Sequence, residues 1–209
     1  MPFSVGNRVL LHICCGPDGT VPWPDLQGEG FDVTGYFYGG NIHPRSEYYL
    51  RLDAVKSVAE EWGGRLIVPP YAPDPWFALA GHLSEEPEGE RRCSLCFRIQ
   101  LEAAAAVAEA EGIGLMTTTL TISPHKDPEE INSIGREVAE SRGRIWIDRV
   151  WRKKNGFKRS LEECGRLGLY RQNYCGCIYS LTNRDDVVGK PCSVGKAPSC
   201  GAGVSDTEI

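Results

Sequence analysis

The sequence predicts a doubly wound α/β domain, a parallel sheet of about five strands with helices on both faces, and three observations point there. Five short apolar runs rich in β-branched or aromatic residues alternate with longer segments of helical periodicity. Four of these runs are near-continuous in apolar or small residues, as strands buried on both faces must be. A length of 209 residues leaves room for one domain of about 150 residues with extensions, and not for two.

The strands are expected at Arg8–Ile13, Phe31–Tyr38, Arg65–Val68, Leu115–Leu120 and Arg144–Val150. Between them Ser46–Trp62, Arg92–Glu111 and Pro128–Ser141 read as helices. The second carries Phe97, Leu101, Ala104, Ala105 and Ala108 on one side, and Gly112 stands where a C-cap belongs. Asn155–Leu167 reads as a further helix and Cys177–Asn183 as a shorter one. Pro69–Glu90 is rich in proline and acids, so it reads as a long loop with one helical turn near Trp76. After Asp185 the chain turns polar and ends acidic, which predicts one α/β domain over 1–185 and a poorly ordered tail over Asp186–Ile209.

An apolar fraction of 41% and a charged fraction of 24% are those of a globular protein with a real core. The net charge of -5 advertises no polyanion partner, so any nucleic-acid contact must come from a local basic patch. No stretch approaches the ~18–20 apolar residues of a membrane span, and no charged leader precedes an apolar segment, so a soluble cytoplasmic protein is expected, without membrane association. Nine cysteines fall short of the ~8–10% of a disulfide scaffold. In a reducing compartment, clustered cysteines point to metal binding or redox chemistry instead.

Six of the nine fall in three pairs. Cys14 and Cys15 follow the first strand, at the sheet edge where ligands bind in this fold class. Cys93 and Cys96 form a Cys-x-x-Cys at a helix start, on one helical face and at the same edge, where the N-terminus favours thiolate. The two pairs could converge into a four-thiolate site. Cys175 and Cys177 form Cys-Gly-Cys, too short for relaxed disulfide geometry, and they reach that edge only if Leu169–Tyr174 runs back across the domain. Each pair also has a plainer reading as small core residues. Cys164 reads as packing, and Cys192 and Cys200 as incidental. Four cysteines suit zinc or an iron–sulfur cluster, and spacing does not decide between them. Asp18 either adds a hard oxygen ligand, which tilts the choice toward iron, or N-caps a helix over Gly19–Leu26.

Other polar features share the edge. Tyr36-Phe-Tyr-Gly-Gly-Asn-Ile-His-Pro44 ends the second strand, where its aromatics could stack on a base and Asn41 and His43 could hydrogen-bond or protonate a substrate. The plainer reading is a core strand, a turn and a solvent-facing His43. Thr117 to Lys126 ends the fourth strand with hydroxyls and a cation that could grip phosphate or ribose. His12 reads as a satisfied buried histidine. Arg149, Arg152, Lys153, Lys154, Lys158 and Arg159, interleaved with Trp151 and Phe157 and with no acid between, are the best nucleic-acid footprint in the chain, though a solvated loop face explains them nearly as well.

Taken together, Cys-Cys-Gly-Pro-Asp, Tyr-Phe-Tyr…Asn-Ile-His-Pro, Arg-Cys-x-x-Cys-Phe-Arg, Thr-Thr-Thr-Leu…Ser-Pro-x-Lys and Tyr-Arg-Gln-x-Tyr-Cys-Gly-Cys-x-Tyr-Ser resemble, in order over about residues 8–182, the QueH family of cobalamin-independent epoxyqueuosine reductases. The resemblance implies an adenine-nucleotide hydrolase-like sheet and the last step of queuosine synthesis, reduction of the epoxide of epoxyqueuosine in tRNA. It implies a [4Fe-4S] cluster on Cys14, Cys15, Cys93 and Cys96, and a redox-active pair at Cys175 and Cys177. Relatives differ at Asp18, where cysteine is common and where aspartate accompanies an additional mononuclear iron, which would turn Cys175 and Cys177 into iron ligands. The relatives' Tyr-Asn-Pro-Asn-Ile is Tyr-Gly-Gly-Asn-Ile here. The reaction takes two electrons from an unidentified donor and two protons, for which His43 and Lys126 are candidate sources. Two rival readings are a tRNA sulfur-transfer enzyme, which would want an ATP-binding Ser-Gly-Gly-x-Asp-Ser loop where Cys-Cys-Gly-Pro-Asp stands, and a zinc-stabilised RNA-binding module.

Overall fold

The computed structural model describes residues 6–182. Cys192, Cys200 and the expected tail at Asp186–Ile209 lie outside the described residues. Strands β1 (Arg8–Ile13), β2 (Asp32–Phe37), β3 (Arg65–Ile67), β4 (Leu115–Thr118) and β5 (Ile145–Trp146) form one sheet in the order β3-β2-β1-β4-β5. Every neighbouring pair is parallel. The described helices are α1 (Gly16–Gly19), α2 (Pro22–Gly28), α3 (Arg45–Glu61), α4 (Asp74–Ala80), α5 (Arg91–Ala110), α6 (Pro128–Ser141), α7 (Gly156–Leu167) and α8 (Ile178–Thr182). The chain builds outward from β1 through β2 and β3, then returns to set β4 on β1's other side. The crevice between the carboxyl ends of β1 and β4 is therefore the point of reversal at which such sheets bind ligands.

Alternation along β1 explains why helices cover both faces. Val9, Leu11 and Ile13 join one core with Val33, Phe37 and Leu52, Val55 and Val58 of α3. Leu10 points the other way, with Tyr36 and Met116, against Phe97, Leu101 and Ala105 of α5 and Ile131 and Val138 of α6. The apolar stripe of α5 thus lies where its periodicity puts it. Helix α6 begins where its sequence says it should, with Pro128 at the first position and Asp127 accepting from the Glu129 N–H at 2.8 Å. No helix among the described residues is long and apolar enough to cross a membrane.

Four elements differ from expectation. The run from Leu115 stops being strand at Thr118, because the Thr118 hydroxyl accepts from the Leu120 N–H (3.1 Å) and the chain turns into a 3-10 segment at Leu120–Ile122. The fifth strand keeps only two residues; beyond it the Asn132 side chain takes the Arg149 carbonyl and Asp148 pairs with Arg136. The Pro69–Glu90 segment holds a real helix, α4, continued by a 3-10 turn at Gly81–Leu83, because Trp76 is fully buried and anchors it. Asp18 caps nothing at Gly19; it lies inside α1, and the next helix begins only at Pro22.

Candidate metal and redox site

The last residue of β1 hands the chain to Cys14 and Cys15 at the β1/β4 crevice, and α1 starts at once. Helix α1 lies so close on α3 that a Cβ on Gly16 would sit 2.7 Å from Ala54. This approach folds Asp18 back over the first cysteine, whose thiol donates to Asp18 Oδ2 at 3.1 Å. From the β4 side, the Thr119 hydroxyl stands 3.5 Å from Cys14 Sγ. The ligand atoms of Cys14, Cys15 and Asp18 all lie within 4.8 Å of one another, as a single metal ion requires.

The second pair opens α5. Cys93 accepts from the Gly89 N–H (3.2 Å), and Cys96 accepts from Trp76 Nε1 (3.2 Å) and Gln100 Nε2 (3.1 Å). The buried Trp76 explains why the proline-rich segment folds: its indole packs against Cys96 and Cys177 and finds its hydrogen-bond partner in a sulfur.

The third pair does return to the same edge. Gly168, at φ 61°, ends α7 in the left-handed conformation, and the chain then runs back along α3. Gln172 Nε2 donates to Cys15 Sγ at 2.8 Å. The Gly176 carbonyl accepts from the His43 N–H at 2.8 Å, and the Tyr174 hydroxyl donates to the His43 carbonyl. Arg51 of α3 clamps the loop, donating to the carbonyls of Cys175 (2.9 Å) and Tyr174 (3.1 Å) while its Nε pairs with Glu47 at 2.7 Å. The other Glu47 oxygen accepts from Tyr170 at 2.6 Å. Gly176 has φ 130°, and a Cβ there would meet Arg51 Nη1 at 2.9 Å, so this position between the cysteines requires glycine.

Charge in the site is arranged for anionic sulfur. Burial pushes the thiols of Cys93 and Cys96 up, and that of Cys177 to about 11. Cys14 is also raised, first by its neighbour Cys15 and then by burial and Asp18. Left alone these groups are neutral thiols. One half-buried cation, Lys126, and one buried cation, Arg92, nevertheless stand beside them. Burial would lower Lys126, but Cys175, Cys14, Asp18 and Cys15 outweigh it and raise the ammonium. Arg92, 1% exposed, donates to the carbonyls of Leu83, Ser84 and Glu86, has no carboxylate partner among the described residues, and leaves Nε and Nη2 without any. A buried cation without a carboxylate counter-charge, as Arg92 is, is costly, and thiolates held by a metal would supply that charge. The donor set fits: soft sulfurs, one hard carboxylate, and N–H groups aimed at the sulfurs of Cys15, Cys93 and Cys96 from outside, the shell that tunes thiolate-bound iron.

The structure thus gathers Cys14, Cys15, Asp18, Lys126 and Cys175, with Cys175 near enough to Cys93, Cys96 and Cys177 for charge to couple them. Cys93 and Cys96 do not join Cys14 and Cys15 as ligands of a single ion; a multi-iron cluster is held by sulfurs set farther apart. His43 is not solvent-facing. At 5% exposure it packs on Trp76 and Phe77, and burial pushes it down to about 4, so at neutral pH it is not an imidazolium. His12 is fully buried with Nδ1 on Thr118, and burial pushes it down to about 3. Cys164 is buried in α7.

The basic stretch is less free than its sequence. Arg149 pairs with Glu29, Arg159 with Asp25 and Lys158 with Glu162, while Arg152 donates to the carbonyls of Ser123, Pro124 and Lys126. Lys153 and Lys154 alone among the six have no such partner among the described residues. Sequence reasoning missed Glu47 and Arg51. They share one face of α3 with Val55 and Val58, and a charged pair on an apolar stripe was the signal available. Trp76, Gln100 and Gln172 were missed too, because nothing in sequence shows which sulfur a distant N–H meets.

A profile described as epoxyqueuosine reductase QueH matches residues 9–183. Among curated proteins, the epoxyqueuosine reductase QueH of Histophilus somni is 39% identical over 176 residues, covering 84% of this chain and 72% of that one. That of Acinetobacter baylyi is 38% identical, covering 85% and 83%, and that of Thermotoga maritima is 33% identical, covering 85% and 92%.

Proposed function

Because the chain belongs to the epoxyqueuosine reductase QueH family, we propose that it reduces the epoxide of epoxyqueuosine in tRNA to the alkene of queuosine, at an iron–sulfur site built on its paired cysteines. It is an oxidoreductase. The reaction consumes two electrons and two protons and releases the epoxide oxygen as water. The observation that carries the reading is the meeting of Cys14, Cys15, Asp18 and Lys126 at the β1/β4 crevice, with the Cys175-Gly176-Cys177 loop clamped beside them.

Cys14, Cys15, Cys93 and Cys96 would hold a [4Fe-4S] cluster, and Asp18 with Cys175 and Cys177 an additional mononuclear iron. When bound, these groups supply electrons one at a time and a Lewis acid for the epoxide oxygen. Lys126 carries the proton: its ammonium is stabilised by the sulfurs and Asp18, and Nζ is the donor to the leaving oxygen. His43 instead holds the Gly176 carbonyl through its backbone N–H and packs its neutral ring on Trp76 and Phe77. An external reductant supplies the electrons, and Lys153 and Lys154 add the phosphate contacts their stretch can still make.

Anaerobic purification with iron and sulfide analysis tests the metal, and Cys93→Ala tests the ligand. We expect the variant to lose both the brown absorbance and the epoxide reduction. A Cys93→Ala protein with full activity overturns the cluster assignment, and a colourless, zinc-replete wild type that binds RNA without turnover overturns the enzyme reading.

A further inference from the structure

Four of the large hydrophobic side chains exposed among the described residues lie on two elements beside the site. Tyr49 (50% exposed) and Leu50 (47%) are near the start of α3, and Phe77 (36%) and Leu79 (51%) are on α4. They are tied to the redox loop through short contacts. The Phe77 ring lies 4.3 Å from that of His43, whose N–H holds the Gly176 carbonyl. Tyr71 donates to the Ile42 carbonyl at 2.8 Å, and its ring lies 4.4 Å from Tyr48, which in turn lies 5.3 Å from Tyr49. Arg45 lies over the Tyr71 ring at 5.4 Å and makes no ion pair among the described residues. The patch is therefore aromatic platforms with one unneutralised cation, although Asp74 stands near Tyr71.

We propose that this Tyr49–Tyr71–Phe77 face, with Arg45, is where the single-stranded loop of the tRNA substrate docks, its unpaired bases stacking there while the modified base enters the crevice. The proposal rests on the tRNA reading of the site and adds the surface that receives the loop. Single-stranded nucleic acid is bound by exposed aromatic faces joined to cations, because every base has a π-face and every nucleotide a phosphate. The 149–159 stretch offers the opposite: Trp151 is buried and presents no open ring face, and Arg149 and Arg159 are bound to acids. Continuity with the redox loop through His43 and Ile42 also places the platforms where bases flanking an inserted nucleotide must lie.

The test is the affinity of the full-length protein for a labelled anticodon stem–loop RNA, measured by fluorescence anisotropy. Tyr49→Ala and Phe77→Ala should each weaken binding about tenfold, and Tyr49→Trp and Phe77→Tyr should restore it. Arg45→Gln should reduce the slope of log affinity against log salt by about 0.7. With epoxyqueuosine-containing tRNA, the alanine variants should raise KM and leave kcat unchanged. Unchanged RNA affinity in the double alanine variant overturns the proposal, as does a wild type that fails to bind RNA. A changed sedimentation coefficient with unchanged RNA affinity would assign the face to a second copy of the chain and equally overturn it. Wild-type binding that depends on these rings, without any turnover, would leave the docking face standing and remove the reductase reading.

Discussion

Replacing Arg51 with methionine should separate the Cys175–Cys177 loop from the domain at a cost that can be worked out beforehand. The guanidinium side chain is 2% exposed and its Glu47 partner 8%. Removing it strands the Glu47 carboxylate in the core with only Tyr170 as donor, and leaves the carbonyls of Tyr174 and Cys175 without their side-chain partner. Breaking a buried pair by deleting one member costs about 3–5 kcal/mol, because the survivor keeps its desolvation penalty. For a chain of this size that is a fall in Tm of roughly 10–15 °C. The double variant Glu47→Leu/Arg51→Met should recover about 2 kcal/mol of the loss, since no charge is then stranded, yet its loop still lacks both clamping bonds. Urea unfolding of the two variants and the wild type in the same metal state, beside their turnover, makes the comparison. A single variant within about 1 kcal/mol of wild type, or a double variant recovering both stability and turnover, would refute the clamp.

Other consequences can be checked separately. Gly176→Ala forces a Cβ at φ 130° against Arg51, and should cost about 1–3 kcal/mol and most of the turnover; thermal unfolding and activity read both. Metal uptake should strengthen with rising pH and release protons, because the raised thiols of Cys93 and Cys96 must ionise to bind; calorimetry in buffers of different ionisation enthalpy counts them. His12 is neutral when folded, at about 3, against about 6.5 unfolded, so the unfolded chain binds the extra proton as pH falls. Stability should therefore drop below pH 6.5, by about 2 kcal/mol at pH 5 from His12 alone. His43, pushed down to about 4, contributes a slope of the same sign, so denaturant midpoints across that range should fall in both proteins but less steeply in His12→Asn than in the wild type.

What was legible in the chain was whatever is decided locally. The apolar run of β1 ending in two cysteines gives both the central strand and the site, because a strand's end and its next residues cannot be far apart. Asp127-Pro128 marks the start of α6 by capping chemistry alone. Helix α4 was partly hidden because its prolines look like loop, and only the burial of Trp76 against Cys96 and Cys177 makes the turn worth continuing. The Arg51–Glu47 clamp depends on a segment returning from 123 residues or more away, which no local pattern announces. Arg149 and Arg159 looked free for the same reason: Glu29 and Asp25, which neutralise them, are 120 and 134 residues distant.

The most direct measurement is the fate of the modified base itself. Full-length protein purified without oxygen, iron-replete and supplied with a low-potential reductant, is incubated with epoxyqueuosine-containing tRNA, which is then digested and its nucleosides weighed by mass spectrometry. Conversion of epoxyqueuosine to a nucleoside lighter by one oxygen atom, lost in Cys93→Ala, is the expected result. Iron-replete protein that binds the tRNA and returns the epoxide unchanged would contradict the account.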